Sequence, residues 1–206
     1  MQKRFLITLI TLFFSYFLIA QNPTAIEYAK QGEEHIAKGE WAKASHLFTR
    51  ALEFEPKNVE YYLRRGWALL HDNKNRRALA DFKEAGRLDK TNGEAVHLKA
   101  VALDSLKNFV ESKKEYIKAI KLLGDKNPQL YLSRGNSFLI QKDYNNAVAN
   151  LNVAIQLDRK NGKAYYLRGI ARVHLVDSMG ACNDWSLAKQ FGFNVPDELY
   201  NKNCKE

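Results

Sequence analysis

The residue types that carry chemistry are few in this chain and poorly placed for it. Cys182 and Cys204 are the only cysteines in 206 residues, and they do not form a Cys-x-x-Cys redox pair. The five histidines (His35, His46, His71, His97 and His174) show no metal-ligand spacing. There is no Gly-rich phosphate loop, no Gly-x-Ser-x-Gly and no His-Glu-x-x-His. The chain therefore reads as neither an enzyme nor a cofactor or metal protein. What it offers instead is large side chains suited to gripping another protein. Trp67 and Tyr166 are the anchors, with Leu63, His71, His97, Leu132, Asn136, Lys163 and Ile170 around them.

The elements that must position these side chains are written with a period. Gly32, Gly66, Ala100, Gly135 and Gly169 fall 34, 34, 35 and 34 residues apart. Ala44, Ala78, Ser112, Ala147 and Ala181 keep the same spacing. So do Phe48, Phe82, Tyr116, Leu151 and Trp185, and so do Ala51, Ala85, Ala119, Ala154 and Ala188. Tyr28, Tyr62, Val96, Tyr131 and Tyr165 open the copies. A fixed period of this length over five copies means a solenoid. The repeats are residues 25–58, 59–92, 93–127, 128–161 and 162–194, the third one residue longer, with positions counted from 1 in each.

Composition agrees with an ordinary folded chain. Hydrophobic residues are 46% and charged residues 27%, which excludes disorder and an all-membrane protein. Lys and Arg number 32 against 23 Asp and Glu, a formal charge of +9. No basic block is interleaved with aromatics, so nucleic acid is not an expected partner. Arg76-Arg77 and Lys113-Lys114 read as isolated, solvated pairs. Residues 1–20 read as an export signal. Lys3 and Arg4 precede the apolar run Phe5–Ile19, and Ala20 offers the small residue before a cut. The competing reading is a retained anchor, but the run is shorter than the about 20 residues a spanning helix needs. A membrane contact is expected only through a partner or an uncleaved signal. The expected location is periplasmic or secreted.

Each repeat reads as two helices. In repeat two, Tyr62, Arg65, Gly66 and Leu69 make one helical stripe. The polar turn 71–75 follows, and Ala78, Phe82 and Ala85 make a second stripe. A minimal residue at position 8 and Ala at position 20 let the two helices approach, and the large residue at position 24 fills the adjacent gap. The aromatics at position 17 (Trp41, Phe109, Tyr144) are expected to pack over the turn. Gly93 and Gly162 are assigned to sharp turns between repeats. Residues 21–24 lead in, with Thr24 capping a helix begun by Ala25.

On these residues the chain resembles the tetratricopeptide repeat (TPR) family. Repeat one carries the family's small, aromatic and proline positions at Gly32, Ala44, Phe48, Ala51 and Pro56. Repeats two, four and five follow closely. Repeat three departs at Val96, Ala100 and Ser112, and looser local packing is expected there. The resemblance implies an all-α fold: a right-handed superhelix of about five helix-turn-helix repeats, with a concave binding groove and no catalysis by the repeats. The clamp by which one TPR subclass grips a C-terminal carboxylate is absent, since Ala29, Glu33, Leu63 and Trp67 stand on that stripe.

Three further expectations concern side chains. Arg65, Arg134 and Arg168 at position 7 face Asp81, Asn150 and Asp184 at position 23, and Lys99 faces Glu115, so each pair should touch within its hairpin. Residues 195–206 should form a terminal cap, its helix started by Pro196 and covering the last repeat with Leu199 and Tyr200. Cys182 and Cys204 lie ten residues before and twelve after Gly192, so an antiparallel hairpin brings them opposite each other and a disulfide is expected.

On the first helix, positions 2, 5, 9, 12 and 13 point away from the partner helix. Repeats two, four and five are apolar there, while Glu33, Glu94, His97 and Asp104 make repeats one and three more polar. The expected function is a non-catalytic interaction scaffold in the cell envelope that binds a peptide or protein segment. The alternative is a structural spacer subunit of an envelope complex. Intact-mass measurement of the protein from an envelope fraction should show a chain beginning at Gln21; an intact Met1 would make the segment an anchor.

Overall fold

The computed structural model describes residues 23–204. The signal segment 1–20 lies outside the described residues. Among them are eleven helices and no strand. Repeat one is α1 (Pro23–Ala37) and α2 (Trp41–Phe54), and repeat two is α3 (Val59–His71) and α4 (Asn75–Leu88). Repeat three is α5 (Gly93–Ser105) and α6 (Phe109–Leu123), and repeat four is α7 (Pro128–Ile140) and α8 (Tyr144–Leu157). Repeat five is α9 (Gly162–His174) and α10 (Ser178–Gln190), and α11 (Asp197–Cys204) follows it. Two compact units emerge, one ending at Leu88 and the other starting at Asp89.

The close approach expected at position 8 is real. A Cβ on Gly66 would lie 2.5 Å from the Phe82 ring, and one on Gly169 would lie 2.4 Å from Trp185 Nε1. Gly32 stands in the same relation to Phe48, and Gly135 to Leu151. The alanines at positions 20 and 27 are fully buried, as is Trp185. Burying each of the large position-24 side chains contributes about 1.5–3 kcal/mol.

Two local expectations are corrected. Gly93 and Gly162 do not turn the chain; each is the first residue of a helix. A Cβ on Gly93 would lie 2.4 Å from Leu123 Cγ, and one on Gly162 would lie 2.8 Å from Phe193 Cβ, so close packing excludes a side chain. The asparagines just before the first helices do the capping. The side chains of Asn58, Asn92, Asn127 and Asn161 accept hydrogen bonds from the backbone N–H groups of Tyr61, Ala95, Gln129 and Ala164. At the chain start, α1 begins at Pro23, ahead of Thr24; a proline in the first turn has no N–H to forfeit.

The bend inside each repeat sits at position 15, where the backbone is left-handed every time. Gly39, Asn73, Lys107, Lys142 and Val176 have φ of 71°, 58°, 60°, 61° and 63°. Glycine and asparagine tolerate this well. A β-branched valine does not, and Val176 is 88% exposed, so no packing offsets its strain.

The position 7–23 pairs form in three repeats of four. Arg65 donates twice to Asp81, at 2.8 and 2.7 Å, and Arg168 twice to Asp184, at 2.9 and 2.6 Å. Lys99 donates to Glu115 at 2.7 Å. Arg134 and Asn150 do not pair. The neutral Asn150 amide donates instead to the Asn146 carbonyl at 2.8 Å, and Arg134 Nε is buried with no acceptor.

Repeat three is not looser than the rest. Val96, Ala100, Ser112 and Tyr116 are all buried. A polar network adds to this packing: Tyr116 Oη and Ser137 Oγ donate to the two oxygens of buried Asp104, at 2.8 and 2.9 Å. Burial raises the Asp104 pKa against the lowering effect of the Ser112, Tyr116 and Ser137 hydroxyls.

The cap helix α11 begins at Asp197, one residue after Pro196, and has no buried residue. An eight-residue helix does not hold itself in water. It is fastened to α10 by the Cys182–Cys204 disulfide, with Cα atoms 5.5 Å apart, and by Lys189 Nζ to Asp197 at 3.0 Å. The Ser186 and Tyr200 hydroxyls add a 3.2 Å contact, and Leu199 and Tyr200 pack against the core of repeat five. Closing a 22-residue separation contributes about 3 kcal/mol in the chain-entropy account.

Glycine exchanges run in opposite directions at two sites test this account. Gly169→Ala forces a Cβ into Trp185 and should destabilise by about 1–3 kcal/mol. Val176→Gly relieves a left-handed valine and should stabilise by up to about 1 kcal/mol. Urea midpoints of the two variants check both signs.

Candidate peptide-binding face

The first helices carry the expected binding residues, and the structure sorts these residues by register. Position 5 is closed inside the array. Leu63, His97 and Leu132 are buried and offer no surface to a partner, which corrects their assignment to the binding face. The reason is visible in repeats three and four. His97 Nε2 lies 3.0 Å from Ser133 Oγ on α7, and Asp104, at position 12, is covered by Ser137 of the same helix. Leu132 shares a core cluster with Ala164, Leu167 and Ala171 of α9. The next repeat therefore covers position 5 in repeats three and four, and position 12 in repeat three. Glu94 at position 2 stays exposed, but the polar character expected of the repeat-three face is internal at His97 and Asp104.

Positions 2 and 9 remain available. Asn136 and Lys163 are exposed, and Trp67 and Ile170 are half-buried. Tyr166 occupies position 5, yet it is half-exposed. Phe193 packs beside it, its ring centroid 4.9 Å from that of Tyr166, while the Tyr166 carbonyl accepts from Trp185 Nε1 at 3.2 Å.

In the N-terminal unit the anchor is part of a cluster. The Trp41 ring stacks on His71 at 4.3 Å, and Trp67 meets the same imidazole edge-on at 4.6 Å. Tyr144 stacks on His174 at 4.3 Å in the C-terminal unit. Trp41 and Tyr144, at position 17, therefore pack on position 13 of the following repeat. Sequence reasoning missed Trp41 as a neighbour of the site. The signal was present in the equal thirty-residue spacings from Trp41 to His71 and from Tyr144 to His174. Arg64 borders this face, 2.5 Å from Glu60 and 3.3 Å from Glu33. The cluster thus offers flat, polarisable rings with a charged rim, the composition of protein-binding hot spots.

Among the described residues, no group of three or more His, Cys, Asp or Glu side chains is placed to hold a metal ion. No described helix is long and apolar enough to cross a membrane.

Comparison with known proteins agrees with this geometry. Residues 29–95 and 128–161 match tetratricopeptide repeat sequence models. The chain is a tetratricopeptide repeat protein, a fold that serves as a scaffold for binding other proteins. It is 28% identical over 153 residues to a DnaJ homolog subfamily C member 7 homolog of Dictyostelium discoideum, covering 72% of this chain and 24% of that protein. It is 31% identical over 86 residues to sperm-associated antigen 1 of Mus musculus, covering 42% and 10%. The chain thus spans a quarter or less of either relative. Among solved structures, MamA of Desulfovibrio magneticus RS-1 superposes with a TM-score of 0.65 at 17% identity, covering 84% of this chain and 97% of that one. PilW, a type IV pilus biogenesis factor, superposes with 0.74 at 16% identity, covering 86% and 81%. These likenesses establish the fold.

The enclosure of His97 has a measurable consequence. Burial lowers its pKa from 6.5 to about 4. Below about pH 6.5 the unfolded chain takes up a proton that the folded chain refuses until about pH 4. Stability is therefore complete above that window, falls by about 1.4 kcal/mol per unit as pH drops through it, and levels off about 3 kcal/mol lower. Asp104 acts in the opposite sense, because its raised pKa lets the folded chain take a proton first. Urea titrations between neutral pH and about pH 4 should show a shallower loss in His97→Gln than in the parent chain. Parallel losses would assign the acid sensitivity elsewhere.

Proposed function

We propose that this chain is an exported, non-catalytic scaffold of the cell envelope, periplasmic or secreted, that holds a segment of another protein on the exposed faces of its first helices. One observation supports the reading most strongly. Leu63, His97 and Leu132 are enclosed, yet Trp67 and Tyr166 keep part of their rings open. Aromatic rings of that size beside polar rims are typical anchors of protein recognition. In the N-terminal unit Trp67 presents its ring beside His71 and Trp41. In the C-terminal unit Tyr166 is accompanied by Ile170, by the Asn136 amide, which can bond a bound backbone, and by Lys163, which favours acidic residues in the ligand.

The test begins with affinity capture from the native envelope fraction, the bound protein being identified by mass spectrometry and then titrated. Trp67→Ala should weaken that complex by about 2 kcal/mol while helicity by circular dichroism stays unchanged. Full binding by both Trp67→Ala and Tyr166→Ala would place the partner elsewhere and make a structural spacer the better reading.

A further inference from the structure

The second helix of repeat three turns an unusual face to solvent. On α6, Val110 is 72% and Ile117 43% exposed. They stand seven residues apart, on one stripe and about 10 Å apart along the axis. Lys113, Lys114, Lys118 and Lys121 are exposed within about 90° of that stripe. The lysine ion pairs among the described residues belong to others: Lys43, Lys74, Lys99 and Lys189. The one acid on this side of α6 is Glu111; Glu115 is bound to Lys99.

Arg134 points to the same place independently. Its counterparts each have two partners. Arg65 bonds Asp81 in its own repeat and Thr49, at position 25 of the preceding repeat, at 3.3 Å. Arg168 bonds Asp184 and, at 2.7 Å, Asn152, again position 25 of the preceding repeat. For Arg134 both partners have been exchanged. Position 23 is Asn150, and position 25 of repeat three is Ile117. Arg134 is left over the Phe138 ring at 5.8 Å, with its Nε buried and unsatisfied. The isoleucine that deprives Arg134 of an acceptor is thus the one that stands in the lysine-flanked stripe.

We propose that this face of repeats three and four docks an acidic amphipathic segment of another protein. Its apolar side chains cover Val110 and Ile117, its carboxylates meet the four lysines, and one carboxylate bonds the Arg134 guanidinium, which lacks the partners that Arg65 and Arg168 have. Charge complementarity selects an acidic ligand, and the planar guanidinium fork suits a carboxylate. The spacing of Val110 and Ile117 matches two turns of a docked helix. An anionic lipid surface fits less well, because the stripe lacks the Trp, Phe or Leu that anchors interfacial helices.

The probe is a synthetic peptide of about four helical turns with a leucine stripe flanked by glutamates, compared with its Glu→Gln twin by fluorescence anisotropy on the purified chain. The glutamate peptide should bind about tenfold or more tighter than the twin, and less tightly as salt rises. The double variant Lys114→Glu, Lys121→Glu should lose about tenfold in affinity with unchanged circular dichroism. Arg134→Met should bind several-fold more weakly without a lower thermal midpoint, since it removes an unsatisfied buried donor. Absence of peptide binding, equal affinity for the twins, or undiminished binding by Arg134→Met overturns the proposal. So does binding to phosphatidylglycerol–phosphatidylcholine vesicles without binding to the peptide, which would make the face a membrane contact.

Discussion

Each repeat depends on a contact that leaves no room for one side chain. At position 8 the first helix carries hydrogen or a methyl group, and against it the second helix lays Phe48, Phe82, Tyr116, Leu151 or Trp185. Because the helices are this close, the alanines at positions 20 and 27 can be fully enclosed. The same closeness demands a tight bend, and the bend demands a left-handed residue at position 15 whatever its side chain. Packing thus overrides local preference: Lys107, Lys142 and even Val176 take a backbone conformation they would avoid alone.

Charge is handled by the same economy of space. Asp184 is fully buried and would be costly unpaired, but Arg168 and Arg172 both donate to it. Asp81 has Arg65. Asp104 has no cation; burial makes it hold its proton more tightly than usual, against the hydroxyls that bond its carboxylate. Arg134 is the converse, a guanidinium whose acceptors have been exchanged for an amide and an isoleucine. Arg134 lies in the repeat that follows the one junction carrying an extra residue, and there the regular pattern of partners breaks.

An array of this kind exposes a surface wherever stacking stops. In repeats three and four, position 5 belongs to the neighbouring repeat; in repeat five, Tyr166 stays partly open beside Phe193. The cap closes the array by covalent attachment more than by burial, since α11 contributes no buried residue and is tied through Cys182 and Cys204. Half-covered aromatics on the first helices and a lysine-flanked stripe on a second helix give the molecule distinct faces for distinct chemistry.

Residue spacing alone was enough to set the repeat, its two helices, the small-against-large contact and the pairing of Cys182 with Cys204, because each depends on distance along a helix or across a short hairpin. It also placed Arg65 with Asp81 and Arg168 with Asp184, which share one hairpin. Which first-helix residues remain at the surface was settled by packing between helices distant in the chain. His97 and Leu132 have the same register as Tyr166, and their burial depends on a neighbouring repeat that helical periodicity does not describe. The same holds for Trp41 on His71, a contact between repeats, and for Gly93, which looked like a turn until Leu123 was seen to fill the space its side chain would need.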